Sequence, residues 1–183
     1  MSKPICTVMV GLPASGKSTL VMSKEQLYEK IDMPLFVYST DNILERTANQ
    51  LGKTYNDVFE KHIKSAQTEA DIGLAEAIKN GVDIVWDQTN LTVKKRRSII
   101  DRMRRAGYAV DCECFDMPKL PDEIADWNQR LHNRPGKTIP EHIIANMVKT
   151  YVVPTVDEGF EGVSYHNIYG DILGIDYGVI NNE

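Results

Sequence analysis

Residues 11–18 read Gly11-Leu12-Pro13-Ala14-Ser15-Gly16-Lys17-Ser18. They follow the apolar run Ile5 to Val10 and precede a helical stretch from Ser18 to about Lys30. A G-x-x-x-x-G-K-[ST] spacing between a buried strand and a helix constrains the fold more than anything else in the chain. Glycines let the backbone curl so that main-chain N–H groups converge on an anion, and the helix adds the positive end of its dipole. The loop therefore predicts a triphosphate cradle made by Gly11, Pro13, Ala14, Ser15, Gly16 and Thr19. Lys17 would reach the β- and γ-phosphates, and the Ser18 hydroxyl would meet Mg²⁺.

Short apolar runs alternate with helical stretches along the rest of the chain. Leu35 to Tyr38, Val82 to Trp86, Tyr108 to Phe115 and Val163 to Ile168 read as further strands. Asp41 to Leu51, Tyr55 to Lys79, Val93 to Arg105, Asp122 to Leu131 and a segment opened by Pro140 read as helices. This order predicts an α/β three-layer sandwich, the P-loop NTPase architecture, with a parallel sheet of about five strands. No repeat or linker interrupts residues 1–183, so one domain is expected. The tail at 171–183 carries no clear period and is expected to pack loosely or move.

Composition excludes some classes. The net charge of −5 supplies no global field to recruit nucleic acid, though a local basic patch remains open. Three cysteines, Cys6, Cys112 and Cys114, make no disulfide framework and read as core side chains rather than metal ligands. No apolar stretch is long enough to span a bilayer and the N-terminus has no signal-peptide pattern, so a reducing cytoplasm is expected.

Two carboxylates end predicted strands, on the side where open α/β sheets bind ligands. Asp87 follows Val82 to Trp86 and can hold Mg²⁺ or cap the next segment. Asp41 follows Leu35 to Tyr38 and Ser39-Thr40. It can take the proton of an acceptor hydroxyl or cap the following helix. Arg130 and Arg134 flank a polar loop with Pro135-Gly136, a candidate lid at about 128–140 or a solvated loop. Lys137 in that loop is expected to be solvated. Lys94, Lys95, Arg96, Arg97, Arg102, Arg104 and Arg105 make a basic helix, either a phosphate track or a solvated outer face. Arg97 is the one expected to turn back toward the crevice. The four histidines show no ligand spacing, and Tyr165 and Tyr169 read as core or rim.

Several of these segments together resemble phage-type polynucleotide 5′-kinases and the AAA-type P-loop kinases. They are Gly11 to Ser18, Ser39-Thr40-Asp41, Asp87-Gln88-Thr89-Asn90, Arg134-Pro135-Gly136-Lys137-Thr138-Ile139-Pro140 and Pro154 to Phe160. The resemblance covers about Ile5 to Ile168. It implies ATP and Mg²⁺, Asp41 as general base, Arg134 as the lid arginine on the donor phosphates and Arg130 near the nucleotide. Thr89 and Asn90 would lie on the acceptor side with Asp87 at the crevice floor. It implies transfer to the 5′-hydroxyl of DNA or RNA, in the host cytoplasm if the chain is phage-encoded. The related phage enzyme has arginines just before and three residues after its base, where this chain has Thr40 and Leu44; Arg46 is the substitute at hand. Kinases for a hydroxymethylated base, a nucleoside or nucleotide, or a sugar nucleotide therefore stay open, as does a nucleotide-hydrolysing switch.

Overall fold

The computed structural model describes residues 3–178. Its centre is a six-stranded sheet in the order β2-β3-β1-β4-β5-β6. The strands are β1 Ile5–Val10, β2 Leu35–Tyr38, β3 Asp83–Trp86, β4 Ala109–Phe115, β5 Gly162–His166 and β6 Ile172–Tyr177. The first five are parallel, and β6 returns antiparallel to β5. The sheet thus has one strand more than the sequence suggests. Ile172–Tyr177, expected to be loose, is the edge strand, and residues 179–183 of that tail lie outside the described residues.

Helices cover both faces, as β1 explains residue by residue. Its side chains alternate between faces. Met9 packs with Val85, Phe115 and Val21, the last from α1 (Lys17–Lys30). Cys6, Val8 and Val10 face the larger cluster. There Ala70, Leu74 and Ala77 come from α3 (Tyr55–Lys79), and Ile99, Ile100 and Met103 from α4 (Val93–Arg105). Buried on both faces from Cys6 to Val10, β1 reads as an apolar run interrupted only by Thr7, whereas β4 carries Asp111 and Glu113 between its buried residues.

Local chemistry sets the helix starts that matter to the site. The helix α2 (Thr40–Leu51) is capped by Ser39, whose hydroxyl accepts from the Asn42 N–H at 3.3 Å. Asp41 is therefore not the cap, and its carboxylate is free for other partners. A capping box starts α3: the Thr54 N–H donates to Asp57 Oδ2 at 2.9 Å and the Asp57 N–H returns to Thr54 Oγ1 at 3.3 Å. Pro121 begins α5 (Pro121–His132), and α6 runs Glu141–Thr150 with Pro140 just ahead of it.

Candidate active site

The parallel strands end along one edge of the sheet, and the expected cradle lies there. Gly16 precedes α1 with φ 108°, a left-handed conformation that glycine adopts without strain. The Gly11 N–H donates to the Thr89 carbonyl at 3.1 Å, which fastens the loop to the segment after β3. The Pro13 carbonyl accepts from the Trp127 indole at 2.8 Å, which fastens it to α5. Lys17 is buried and turns back onto the loop. Its ammonium donates to the Gly11 carbonyl at 2.9 Å and the Leu12 carbonyl at 2.7 Å. Burial lowers its pKa to about 8, against the pull of Asp87 and Asp41 and with the push of Arg134 and Lys137.

A cavity of about 570 Å³ opens beside the loop. Ala14 to Leu20 line it together with Arg130, Arg134, Phe115, His166 and Tyr169, and both Ser18 and Thr19 are exposed. Arg130 donates to the Ile168 carbonyl at 2.5 Å, with its guanidinium 5.5 Å from the Tyr169 ring centroid. The Nη1 of Arg134 is buried without any hydrogen-bond partner. A buried guanidinium nitrogen left unpaired at the mouth of an amide-lined loop fits a phosphate oxygen as its missing acceptor. The donor set therefore fits ATP.

Asp87 stands at the end of β3, where its N–H donates to the Tyr38 carbonyl at 2.9 Å. Burial raises its carboxyl pKa, opposed by Lys17 and by the Ser39 hydroxyl, while Asp41 pushes it further up. Among the described residues no group of three or more His, Cys, Asp or Glu is placed to hold a metal. Ser18, exposed in the cavity wall, and Asp87 are the oxygen-bearing side chains that could hold a divalent ion beside bound phosphates.

Across from the loop, Asp41 has a partner on each oxygen. The Tyr55 hydroxyl donates to Oδ1 at 2.8 Å, and the Lys137 ammonium donates to Oδ2 at 2.7 Å. Enclosure works to raise its pKa, but Lys137, Tyr55 and Arg134 outweigh it and hold the carboxyl below its ordinary value. Lys137 is not the solvated residue the sequence suggests. It also donates to Glu45 Oε1 at 2.8 Å, lies 4.3 Å from the Tyr55 ring centroid and keeps only 11% of its side chain exposed.

Lys17, Ser18, Arg130 and Arg134 line one cavity, and Asp41 and Asp87 lie near enough to Lys17 to act on its charge. Four residues expected on the acceptor side do not join them. Asn90 is fully buried at φ 48°, and its amide donates to the Met9 carbonyl at 2.7 Å, so it ties its own turn to β1. Thr89 is half-buried and contributes its main-chain carbonyl, as above. Arg46 is exposed and pairs with Glu69. Arg97 is exposed, and its neighbour Arg96 turns inward instead. Arg96 is fully buried, donating from Nε to Glu158 Oε2 at 2.8 Å and from Nη1 to the carbonyls of Asn90 at 3.1 Å and Val152 at 3.0 Å.

The sequence signals for the residues missed are uneven. Arg96 lies on the stripe Arg96, Ile99, Ile100, Met103, so helical spacing alone marks it as inward. Tyr55 and Lys137 are 82 residues apart in sequence and meet only through the fold. His166 reads as an ordinary histidine, yet it lies stacked on Phe115 in the cavity wall, with Nε2 donating to Glu113 Oε2 at 2.7 Å.

Comparisons with known proteins agree with this geometry. A bifunctional polynucleotide phosphatase/kinase of Schizosaccharomyces pombe is 29% identical over 160 residues, which is 85% of this chain and 32% of that protein. A probable fructose-2,6-bisphosphatase of the same yeast is 26% identical over 147 residues, 74% of this chain and 33% of that protein. The chain thus spans about a third of the length of these curated relatives. Among solved structures, a chain of the PezAT toxin–antitoxin system of Streptococcus pneumoniae superposes with TM-score 0.61 at 14% identity, over 96% of this chain and 72% of that one. A candidate kinase of Chloroflexus aurantiacus gives TM-score 0.59 at 15% identity, over 91% and 89%; at such identities both show the fold. The AAA domain profile matches residues 7–154, from inside β1 to beyond α6, and with the cradle and its cleft in view the chain belongs to this AAA-domain family of P-loop kinases.

Proposed function

We propose that the chain transfers the γ-phosphoryl group of ATP to the 5′-hydroxyl of a polynucleotide. The observation that carries the reading is the Asp41 carboxylate, free of any capping duty, held charged by Lys137 and Tyr55 and near enough to act on the charge of Lys17. The 29% identity to a protein named polynucleotide phosphatase/kinase supports the acceptor class.

In this reading the loop amides and Lys17 bind the β- and γ-phosphates. Arg134 gives its unpaired Nη1 to the transferring group, where charge spreads over three oxygens. Arg130 steadies the nucleotide side of the lid. Ser18 and Asp87 would hold Mg²⁺, which would neutralise phosphate charge as it builds. Asp41 accepts the proton of the hydroxyl as its oxygen meets phosphorus, and ADP leaves. Most of the rate comes from positioning and preset charge.

One observation favours a second reading, transfer to a different hydroxyl. Leu44 is fully buried in the packing between α2 and α3 and Thr40 is buried and uncharged, so neither position offers a cation to an acceptor phosphate. The deciding experiment offers γ-labelled ATP together with 5′-hydroxyl oligonucleotides, hydroxymethylated DNA, nucleosides and sugar nucleotides. Label confined to oligonucleotide 5′ ends is the expected result. Label on another acceptor moves the assignment to that class, and label only in inorganic phosphate overturns kinase activity in favour of a hydrolytic switch.

A further inference from the structure

One loop reaches both halves of the cleft, and its lysine lies on the base. Residues 133–140 join α5 to α6. Arg134 of this loop lines the nucleotide cavity, and three residues later Lys137 sits on Asp41. We propose that Lys137 is a positioning residue for phosphoryl transfer: carried by the lid, it fixes the Asp41 carboxylate in the orientation that receives the acceptor proton. The proposal rests on the reading of Asp41 as the base.

The contact differs from a chance surface ion pair in how the loop itself is held. The Asn56 N–H donates to the Gly136 carbonyl at 3.1 Å, and the Asn56 amide donates to the Thr138 carbonyl at 3.1 Å. Both flanks of Lys137 are thereby tied to the first turn of α3. Gly136 lies so close to Thr54 that a Cβ there would sit 2.7 Å from the threonine Cβ. Main-chain docking places the lysine, and the lysine then finds Asp41 and Glu45, one helical turn apart on α2. The Tyr55 ring closes the remaining side.

The hydrogen bonds define one direction for the base. Tyr55 occupies Oδ1 and Lys137 occupies Oδ2, each using one lone pair. A carboxylate oxygen keeps a second lone pair, so a proton can still arrive. In the step, the acceptor O–H bond breaks and its proton goes to Asp41. The acceptor oxygen bonds to the γ-phosphorus, and the bond from that phosphorus to the β,γ-bridging oxygen breaks, releasing ADP. Lys137 keeps its own protons throughout. Its part is to stop the carboxylate from turning as charge builds in front of it, and to tie that orientation to the docked lid that also brings Arg134.

The test uses Lys137→Cys in the full chain, assayed with the acceptor that the wild-type protein phosphorylates. Misplacing a reacting group slightly costs on the order of 10²-fold in rate. The expected result is a fall of about that size in kcat and kcat/KM together, with the ATP-analogue Kd unchanged. Alkylation with 2-bromoethylamine rebuilds a lysine-like ammonium and should restore most of the loss. The chemistry is selective because Cys6, Cys112 and Cys114 are 0%, 1% and 0% exposed. Lys137→Met, near in length and uncharged, should show the same kinetic loss while still melting in a single cooperative transition. Wild-type rates in Lys137→Cys, or a loss that alkylation does not repair while Lys137→Met stays active, overturn the proposal. If the wild-type protein itself transfers phosphate to no acceptor, the base assignment fails and this proposal falls with it, and the wild-type reaction alone reveals that outcome.

Discussion

Lys17 shows how a single residue's surroundings set its chemistry. Buried against its own loop, it has a pKa of about 8, so it carries its charge below that pH and loses it above. ATP affinity should therefore weaken as pH rises through about 8, since the ammonium is the loop's only formal positive charge. Calorimetric titration between pH 6.5 and 9.5 checks this. Lys17→Ala should lose both the affinity and the dependence on pH; a variant that keeps the alkaline fall assigns it to another group. The loop was legible in the sequence because its chemistry is written in consecutive residues. Asp41 was legible as a candidate only, since a residue at the start of a helix can serve as cap or as base. Ser39 takes the cap, and that outcome depends on main-chain angles two residues earlier. Lys137 was not legible, because its carboxylate partners are 96 and 92 residues away in sequence.

Among the elements, α3 and α4 follow their sequence patterns closely. Tyr55–Lys79 and Val93–Arg105 have the bounds that period, caps and the terminal Gly81 and Gly107 suggest. In α4 the cation expected to turn in is Arg97, but Arg97 is exposed and Arg96 turns inward instead to become a strut. Its buried guanidinium joins Glu158, the Asn90 turn and the chain after α6. Removing one member of such a pair leaves a buried charge alone, at a cost of roughly 3–5 kcal/mol. Arg96→Met should lose stability of that order in urea unfolding, and Arg96→Met with Glu158→Leu should recover part of it. Arg97→Met, on the exposed face, should change stability by no more than about 0.5 kcal/mol. Equal losses at the two positions would contradict this account of α4. The stripe of Ala66, Ala70 and Ala77 on α3 has a neighbour in Gly73, where an added Cβ would stand 2.8 Å from the Phe36 ring of β2. Gly73→Ala should therefore cost about 1–3 kcal/mol by overpacking rather than gain helix propensity. Calorimetric melting gives the sign.

At the scale of the molecule, the sheet is legible where a strand shows an apolar run or a buried alternation. β1 to β3 are mostly apolar runs, and β4 alternates buried Val110, Cys112 and Cys114 with Asp111 and Glu113. In β6, Ile172, Leu173, Ile175 and Tyr177 are exposed by 62%, 59%, 45% and 76%, so no alternation marks it. No helix among the described residues is long and apolar enough to cross a membrane. The parallel β4–β5 pair is cross-linked by His166 and Glu113, with Lys24 of α1 3.0 Å from the same carboxylate. The Glu113 hydrogen bond raises the His166 pKa above its ordinary 6.5, against burial. For Glu113 burial works upward, but His166 and Lys24 prevail and hold it below its ordinary 4.5. The histidine's contribution to stability is therefore complete below about pH 6.5 and is lost as pH rises through its folded value. The carboxylate's contribution is present above about pH 4.5 and is lost as pH falls through its own folded value. Melting temperature should decline from pH 6 into the alkaline range, and Glu113→Gln should flatten that limb. An unchanged slope in the variant would remove the pair from the account.

The central claim is that one cleft holds a triphosphate on one side and an ionised carboxylate aimed at an alcohol on the other. Single-turnover transfer from labelled ATP by Asp41→Asn, with ATP-analogue affinity measured in parallel, tests it most directly. The amide matches the carboxylate in size but cannot take the proton, so transfer should slow by roughly 10²–10⁴-fold while nucleotide affinity stays at the wild-type value. Transfer at the wild-type rate by a folded Asp41→Asn protein would contradict the claim.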